Sequence, residues 1–404
     1  MIQAKQVIRC RPHVRGPFAA CALWVCVIFI GAFPPVLASG PEAPPEDLSG
    51  FSYYSDHISE GPRSVQVVKV DRSRREFSFH TTLAKGTVYD KSTLSEQLNW
   101  LPPEIGRPIA GINGDYYYND RAYRGDPKGL QIMQGELVSA PCGWSSFWID
   151  AAGNPRMDAV HSQLKAIWPD DSATPIGLNQ GRTNDGAVLY TPRLGSSTRT
   201  AGGRELVLER IDDRRWLPLR AAQTYTAKVR EVRAAGNTSL TFDIMVLSLG
   251  PDLLSRTPSV EPGEVVRIST STSPELDGVT TAIGGGPALV HDSKPVKSSL
   301  PRRRHPRSAV GWNDKHMFLV QVDGRQRGYS VGMTPLELAN YMIKLGCTHG
   351  LNLDGGGSSS FWVLGQVRNR PSKGYERPMA NALVLVQNLD ERSDPINYAS
   401  KQCD

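Results

Sequence analysis

Hydrophobic and polar positions alternate in many short runs of this chain, a pattern that predicts a structure built largely from strands. Residues 65–70 and 76–81 alternate in this way, and we expect them to pair with each other across the polar residues 71–75. Four later runs are alternating or rich in β-branched residues and predict a β-rich middle portion: 205–210, 224–232, 240–249 and 265–272.

The clearest alternating run ends in a glycine loop, Leu351–Phe361, which reads L-N-L-D-G-G-G-S-S-S-F. Its two leucines are expected to face a core, with Asn352 and Asp354 on the other side of the strand. The glycines that follow allow bare backbone to approach a ligand, and their N–H groups can form a concave anion site. A tight hairpin carrying a solvated aspartate is an alternative explanation of the same residues.

Two helices are predicted from their first residues. Thr334-Pro335-Leu336-Glu337 combines a threonine cap, a proline at the first helical position and a glutamate that closes a capping box. Gly346 is placed to end this helix. Thr93-Leu94-Ser95-Glu96 predicts a second, shorter helix in the same way.

Three polar loops follow predicted strands. Asn113 and Asp115 follow one strand, Asp323 another, and Asp354 the leucine strand described above. Arg307 leads directly into a further predicted strand, which would hold its guanidinium on a rigid edge. If these strand ends meet at one rim, carboxylates, glycine amides and a guanidinium gather there, a composition that suits a substrate with both a sugar and a phosphate.

The N-terminal segment predicts export. Four basic residues precede the apolar run 18–33, and small residues near Ala38 offer a cleavage site, as in a signal peptide. An uncleaved anchor is the alternative. We therefore divide the chain into a signal peptide (1–38), a linker or mobile arm (39–61), one large domain (62–390) and a C-terminal tail (391–404), and expect the mature protein in the periplasm or outside the cell.

Removal of this segment changes the charge and the cysteine count. The formal net charge of +6 falls to +2 because the segment has four basic residues and no acidic ones, so charge gives no reason to expect a nucleic-acid partner. Cys142, Cys347 and Cys403 remain, which allows at most one internal disulfide. No other apolar run is long enough to span a membrane.

Familiar catalytic motifs are missing from the sequence. There is no H-E-x-x-H, Walker loop or G-x-S-x-G, and Ser358 lacks the context of a serine nucleophile. No cofactor is required by the sequence. A divalent cation between the aspartates and a phosphate is compatible with it, but no ligand spacing demands one.

Seven short motifs in order resemble the phosphodiester glycosidase family: I-N-G-D-Y-Y at 112–117, G-G-G-P-A-L-V at 284–290, P-R-S-A-V-G at 306–311, V-D-G-R at 322–325, G-M-T-P-L-E-L-A at 332–339, L-N-L-D-G-G-G-S-S at 351–359 and R-P-M-A-N-A-L at 377–383. The resemblance extends over residues 65–386. It implies an α+β fold, a single large domain around a twisted mixed β-sheet. It also implies hydrolysis of the sugar–phosphate bond of a glycosyl-1-phosphodiester, such as a GlcNAc-1-phosphodiester.

The resemblance also suggests which residues form the site. Asp115 and Asp354 are the expected catalytic pair, with Asp323 as a third candidate that could instead anchor a turn. The expected substrate-binding residues are Asn113, Arg307, Asn352, Gly355, Gly356, Gly357 and Ser358.

Two features depart from the pattern implied by the family. Ser308 stands where threonine is more usual, and nothing corresponds to the cysteine-rich extension of the animal enzymes. A bacterial glycopolymer is therefore the expected substrate. A non-catalytic glycan-binding protein of exopolysaccharide or envelope assembly is the alternative function.

Overall fold

The alternating runs of the sequence form strands arranged in four sheets. The computed structural model describes residues 48–119, 122–211, 216–297 and 302–388, so the predicted signal peptide, residues 39–47 and the C-terminal tail lie outside it. In chain order the strands are β1 Phe51–Ile58, β2 Arg63–Asp71, β3 Phe77–Thr81, β4 Arg107–Asn113, β5 Gln131–Met133, β6 Glu136–Ser139, β7 Cys142–Ile149, β8 Pro155–Ser162, β9 Lys165–Ile167, β10 Ala173–Pro175, β11 Gly177–Leu178, β12 Ala187–Tyr190, β13 Arg204–Arg210, β14 Thr224–Arg233, β15 Ile244–Leu249, β16 Val265–Ser269, β17 Thr272–Ser273, β18 Thr281–Gly284, β19 Ala288–His291, β20 Lys294–Pro295, β21 Arg307–Trp312, β22 His316–Val322, β23 His349–Asn352, β24 Phe361–Val363, β25 Gln366–Val367 and β26 Ala382–Gln387. The helices are α1 Leu94–Asn99 and α2 Pro335–Lys344, and short 3-10 turns span Pro103–Ile105, Pro192–Leu194, Pro251–Arg256 and Gly356–Ser358.

Two of the sheets pack face to face and position the candidate site. The seven-stranded sheet has the order β1-β2-β22-β21-β23-β19-β20, and the five-stranded sheet has the order β25-β24-β4-β26-β3. Val310, Leu319 and Leu351 of the first sheet share a core with Ile112 and Leu383 of the second. This core buries one face of each sheet.

The opposite faces of these two sheets are covered by helices. Val320 packs on the α2 side with Leu338, while Val384 packs on the α1 side with Leu98. Successive residues of a strand point to opposite faces, which explains why nearly every position in β22 and β26 is apolar. The result is a layered order of helix, sheet, sheet and helix.

The predicted β-rich middle portion is confirmed. The eight-stranded sheet has the order β10-β9-β16-β14-β13-β15-β12-β11, and a six-stranded sheet follows the order β17-β8-β7-β18-β5-β6. Their shared apolar core includes Trp168 and Leu247. In the six-stranded sheet, β18 connects this core to the core beneath the site through Ala282 and Ile283.

The predicted fold class is only partly correct. The described residues form a mostly β structure, in which the two α-helices have six and ten residues, so the label α+β fits loosely. The pairings are antiparallel apart from the short pair β11 and β12, so the sheet that was expected to be mixed is antiparallel. Short turns can join antiparallel strands, whereas parallel strands need long crossovers.

Two local predictions were wrong. Strands β2 and β3 form as expected but do not pair with each other: β2 lies between β1 and β22, and β3 pairs with β26 in the other sheet. The predicted linker 39–61 contains β1, which pairs with β2 over its whole length. The proline-rich composition before this segment concealed the alternation within it.

The capping box of α2 is confirmed. Thr334 Oγ1 accepts a hydrogen bond from the Glu337 amide at 3.1 Å, and Glu337 Oε2 accepts one from the Thr334 amide at 2.9 Å. Gly346 follows the helix with a φ of 94°.

We expect Thr334→Ala to lower the free energy of unfolding by about 1 kcal/mol, because it removes an acceptor from the helix N-terminus. Thr334→Ser keeps the hydroxyl and should retain most of the stability. Urea denaturation of the three proteins measures this difference. Equal losses for the alanine and serine variants would show that the cap contributes nothing.

Two further predictions concern cysteines and membrane spans. Cys142 is exposed and Cys347 is buried, and neither forms a disulfide, while Cys403 lies outside the described residues. Within the described ranges, none of the helices has the length and apolar character needed to cross a bilayer.

Candidate active site

Two of the three strand-end loops that the sequence singled out meet at Asn113, together with the start of β21. This buried side chain donates a hydrogen bond from Nδ2 to the Asp354 carbonyl at 2.6 Å. Its Oδ1 accepts from Ser308 Oγ at 2.5 Å and from the Ser360 amide at 3.1 Å. Asn113 therefore ties the end of β4 to the start of β21 and to both ends of the glycine loop.

The glycine loop crosses between two sheets and is not a hairpin. It starts after β23 in the seven-stranded sheet and ends at β24 in the five-stranded sheet. The Asp354 amide donates to the Gly114 carbonyl at 2.9 Å, which fastens the loop to the Asp115 loop. The hairpin alternative is excluded, and the two loops expected to carry the catalytic pair lie side by side.

Asp115 is the deeper of the two aspartates. Its side chain is only 2% exposed, and its two oxygens accept hydrogen bonds from the amides of Tyr116 at 2.7 Å and Gly129 at 2.8 Å. A Cβ on Gly129 or Gly284 would collide with Oδ2, so these glycines make room for the carboxyl group. Burial raises the pKa of Asp115 to about 8, the nearby charge of Asp354 adds to this rise, and the two amides oppose it.

Asp354 is the more accessible aspartate. It is partly exposed, and its Oδ1 accepts a hydrogen bond from the Gly355 amide at 2.8 Å. Burial raises its pKa, while Ser358, the Gly355 amide, Arg377 and Lys128 act in the opposite direction. Because the charge of Asp354 adds to the raised pKa of Asp115, Asp115 is the member of the pair that keeps a proton near neutral pH.

We expect the buried proton of Asp115 to appear as a pH dependence of stability. Between about pH 4 and pH 8 the folded protein keeps a proton that the unfolded chain has released, so stability falls as pH rises, by up to about 1.4 kcal/mol per unit. Asp115→Asn does not titrate. Wild-type protein should therefore lose stability relative to this variant across that window.

Urea unfolding at several pH values measures this effect. Asp252→Asn is a matched control, because Asp252 is exposed, and this variant should follow the wild-type pH dependence. Parallel curves for wild type and Asp115→Asn would contradict a raised pKa at Asp115.

Basic side chains surround the glycine loop. A Cβ on Gly356 would lie 2.8 Å from Arg325 Nη2, and one on Gly357 would lie 3.7 Å from both Arg377 Nη1 and Lys373 Cε. Gly356 also has a φ of 65°, which favours glycine. The absence of side chains at these positions leaves the loop backbone directly beside cationic groups.

Arg307 is buried and forms no ion pair with a carboxylate of the described residues. It is 5% exposed, and among the described residues its guanidinium donates to the carbonyls of Met333 at 3.0 Å and Arg303 at 3.1 Å. Its electrostatic neighbours are Tyr116 and Arg325, and burial lowers its pKa. A buried guanidinium whose charge is unbalanced is a natural site for an anion.

Asn352 and Ser358 complete the inner surface of the site. Asn352 is fully buried and donates from Nδ2 to the Tyr116 hydroxyl at 3.0 Å, while its Oδ1 has no hydrogen-bond partner in the described part of the chain. Burial raises the pKa of Tyr116 to about 12. Ser358 Oγ is also buried and makes no hydrogen bond of ordinary geometry, although its proximity lowers the pKa of Asp354. Asn352 Oδ1 therefore offers an unused acceptor at the site.

Asp323 does not join the aspartate pair. Its carboxylate accepts hydrogen bonds from Tyr329 Oη at 3.0 Å, Gln321 Nε2 at 3.1 Å, Asn369 Nδ2 at 3.3 Å and the Arg370 amide at 3.0 Å. These donors occupy the acceptor positions of both carboxylate oxygens, so the Asp323 side chain holds the surrounding loops together. A structural role for Asp323 explains these hydrogen bonds better than a catalytic role does.

The sequence reasoning missed several residues of the site. Arg325 lies in the V-D-G-R motif and Arg377 in the R-P-M-A-N-A-L motif, but no role was assigned to either. Tyr116 was included only as part of the I-N-G-D-Y-Y motif. Both arginines lie inside motifs of the resemblance, and the glycine loop was expected to bind an anion. Their positive charge could therefore have been used to predict that they belong to the site.

Comparison with known proteins gives a family match over part of the chain. Residues 253–386 match the sequence profile of the phosphodiester glycosidase family, which confirms the resemblance seen in the motifs of this part of the chain. The I-N-G-D-Y-Y motif at 112–117 lies outside the matched range.

One curated relative is an uncharacterized SPbeta prophage-derived protein, YomE, of Bacillus subtilis (strain 168). It is 33% identical over 114 residues, which cover 27% of this chain and 18% of that protein. The chain thus spans less than a fifth of the length of this relative.

Two solved structures share the fold. A hypothetical protein from Synechocystis has a TM-score of 0.65 at 19% identity, over 83% of this chain and 61% of that one. A Burkholderia pseudomallei K96243 protein, named only as a presumed exported protein, has a TM-score of 0.61 at 21% identity, over 81% and 74%. The catalytic domain of zebrafish N-acetylglucosamine-1-phosphodiester alpha-N-acetylglucosaminidase gives a TM-score of 0.42 at 13% identity, over 83% and 82%, a level that does not establish a shared fold.

Proposed function

Because residues 253–386 match the phosphodiester glycosidase family, we propose that this protein is an exported hydrolase that cleaves the sugar–phosphate bond of a glycosyl-1-phosphodiester. The proposed substrate is a GlcNAc-1-phosphodiester-like unit of a glycopolymer or glycoconjugate. Export is proposed from the N-terminal segment of the sequence, and the name of the Burkholderia structure is consistent with it.

The observation that carries this proposal is the arrangement around the glycine loop. A partly exposed carboxylate, Asp354, starts a loop of bare amides, and that loop is lined by Arg307, Arg325 and Arg377. The cations and amides suit a phosphate, and the carboxylate suits the adjacent sugar carbon.

The leaving group explains why cations dominate this site. Breaking the bond between the anomeric carbon and oxygen releases a phosphate monoester, whose second pKa is about 6. Such a group can depart as a dianion near neutral pH, with the bonding electrons on its oxygen. Arginine side chains and loop amides would stabilise the charge that develops there, so protonation of the leaving oxygen is less necessary than for an alcohol.

In this mechanism Asp354 acts as the general base. It accepts a proton from a water molecule whose oxygen forms the new bond to the anomeric carbon, while the carbon–phosphate oxygen bond breaks. Asp115 stays protonated behind it, so the site carries one carboxylate charge close to the phosphate. A second ionised carboxylate would oppose binding of the anionic substrate.

Aromatic side chains beside the carboxylates can contact the sugar ring. Tyr116 meets Trp144 edge to face, with ring centroids 5.9 Å apart, and Trp144 is 48% exposed. An exposed indole next to a half-buried tyrosine gives an apolar face with a hydroxyl near its edge, which suits a pyranose ring.

A direct assay tests the proposal. The mature protein is incubated with α-linked sugar-1-phosphodiesters, and the release of free sugar and phosphate monoester is measured. Release of both products in equal amounts is the expected result. If the protein binds these compounds and releases no sugar from any of them, the activity is excluded and a glycan-binding role takes its place.

A further inference from the structure

A group of metal-ligand side chains lies at the end of β23 that is remote from the glycine loop. His291 ends β19, Asp292 follows it in the turn to β20, and His349 begins β23. We propose that these three residues bind a divalent transition-metal ion of the class that prefers imidazole and carboxylate ligands, such as Zn²⁺ or Cu²⁺.

The distances between the three side chains are close to those of a metal site. His291 Nδ1 lies 3.2 Å from Asp292 Oδ2, and His349 Nε2 lies 3.5 Å from Asp292 Oδ1. The three candidate ligand atoms lie within 4.8 Å of one another. Ligands that share a tetrahedral Zn²⁺ at bond lengths of 2.0–2.1 Å are about 3.3 Å apart, so small rotations of the side chains would complete the geometry.

The hydrogen bonds around His349 leave its Nε2 atom free to bind a metal ion. Thr348 Oγ1 donates to the Trp312 carbonyl at 3.1 Å, and its oxygen lies 3.1 Å from His349 Nδ1. The network therefore assigns the ring proton to Nδ1, which donates to Thr348, and leaves the Nε2 lone pair directed at Asp292. Metal-binding histidines are commonly oriented by such a partner on the other ring nitrogen.

Packing and backbone hold two of the ligands in place. The His349 ring stacks on Trp312, with centroids 5.4 Å apart and planes at 9°. The two turn residues between β19 and β20, Asp292 and Ser293, have φ values of 48° and 60°, and the Ser293 amide donates to the Thr348 carbonyl at 2.9 Å. This bond docks the turn against the start of β23, where His349 lies.

The cluster is open to solvent and separate from the aspartate pair. The side chains of His291 and Asp292 are 58% and 73% exposed, so an ion can reach them and a water molecule can fill the remaining coordination position. His349 and Asp354 are five residues apart along an extended segment, which corresponds to about 16 Å. A metal ion here would clip the β19–β20 hairpin to β23 and would not contact the proposed substrate.

Metal titration tests the proposal without an activity assay. The mature protein is stripped with a chelator and titrated with ZnCl₂ in a calorimeter, and one equivalent is expected to bind. His349→Ala and His291→Ala should each abolish this binding, and Thr348→Val should weaken it about 10- to 100-fold by releasing the His349 ring. His57→Ala, which removes an exposed histidine of β1, should leave it unchanged.

A spectroscopic readout identifies the ligands directly. With one equivalent of Cu²⁺, electron paramagnetic resonance should show hyperfine coupling to two imidazole nitrogens, and to one in each histidine variant. Circular dichroism confirms that the variants are folded. Failure of the wild-type protein to bind one equivalent of Zn²⁺, or retention of full affinity in folded His291→Ala and His349→Ala proteins, would overturn the proposal.

Discussion

Asp354→Asn is expected to lower kcat about 10²- to 10⁴-fold with little change in substrate binding. Asparagine keeps the shape of the side chain and can still accept the hydrogen bond that the Gly355 amide now donates to Asp354 Oδ1. It cannot take a proton from water, so the step that forms the bond to the anomeric carbon loses its base. The cations around the glycine loop are unchanged, so the phosphate should still bind.

Steady-state kinetics and calorimetry with a glycosyl-1-phosphodiester separate these two effects. Asp252→Asn, an exposed and remote substitution, should match the wild-type kcat. Asp323→Asn should reduce stability, because the Asp323 carboxylate accepts several hydrogen bonds that hold the neighbouring loops. If Asp354→Asn keeps a kcat within a few-fold of wild type, Asp354 is not the base.

Arg307→Met is expected to lower kcat/KM about 10²- to 10³-fold for a phosphodiester substrate. Methionine approximates the length and packing of the buried stem, whose Cδ would lie 3.9 Å from a Cβ on Gly355. It removes the guanidinium, which has no carboxylate partner among the described residues. The loss should be largest in the transition state, where the departing phosphate gains charge. The kcat/KM of Arg307→Lys should lie between those of the wild type and Arg307→Met, because lysine keeps the charge and loses the forked geometry.

The loss of kcat/KM in Arg307→Met should occur only with substrates that carry a phosphate. Arg303→Met removes an exposed arginine close by in sequence and should change kcat/KM little, which controls for the general loss of positive charge. An uncharged aryl glycoside of the same sugar, if it is cleaved at all, should be cleaved equally by wild type and Arg307→Met. An equal loss on both substrates would show that Arg307 supports the fold of the site and does not hold the phosphate.

Much of the local structure was readable from the sequence, because it depends on neighbouring residues. The capping boxes at Thr93 and Thr334 predicted both helix starts, and they form as expected. The alternation of leucines with Asn352 and Asp354 predicted a strand with a buried side and a polar side, followed by a glycine loop. Each of these signals is contained in a few consecutive residues.

The strands with which these elements pair could not be predicted from neighbouring residues. Strand β3 pairs with β26, some 300 residues later, and not with the adjacent β2. The glycine loop joins two sheets because β24 pairs with β4, and local turn chemistry carries no information about that pairing. Side-chain packing between layers decided these choices.

By itself the sequence determined the elements, the order of the motifs and the residue types available for chemistry. Only the tertiary structure decided that Asp115 is buried with a raised pKa, that Asp354 is partly exposed, and that the Asp323 carboxylate is hydrogen-bonded by neighbouring loops. Burial and hydrogen bonding set the pKa of a carboxyl group, and both depend on side chains and amides brought from distant parts of the chain. Arg325 and Arg377 likewise come from distant parts of the chain, so only the folded structure shows that they lie beside the glycine loop.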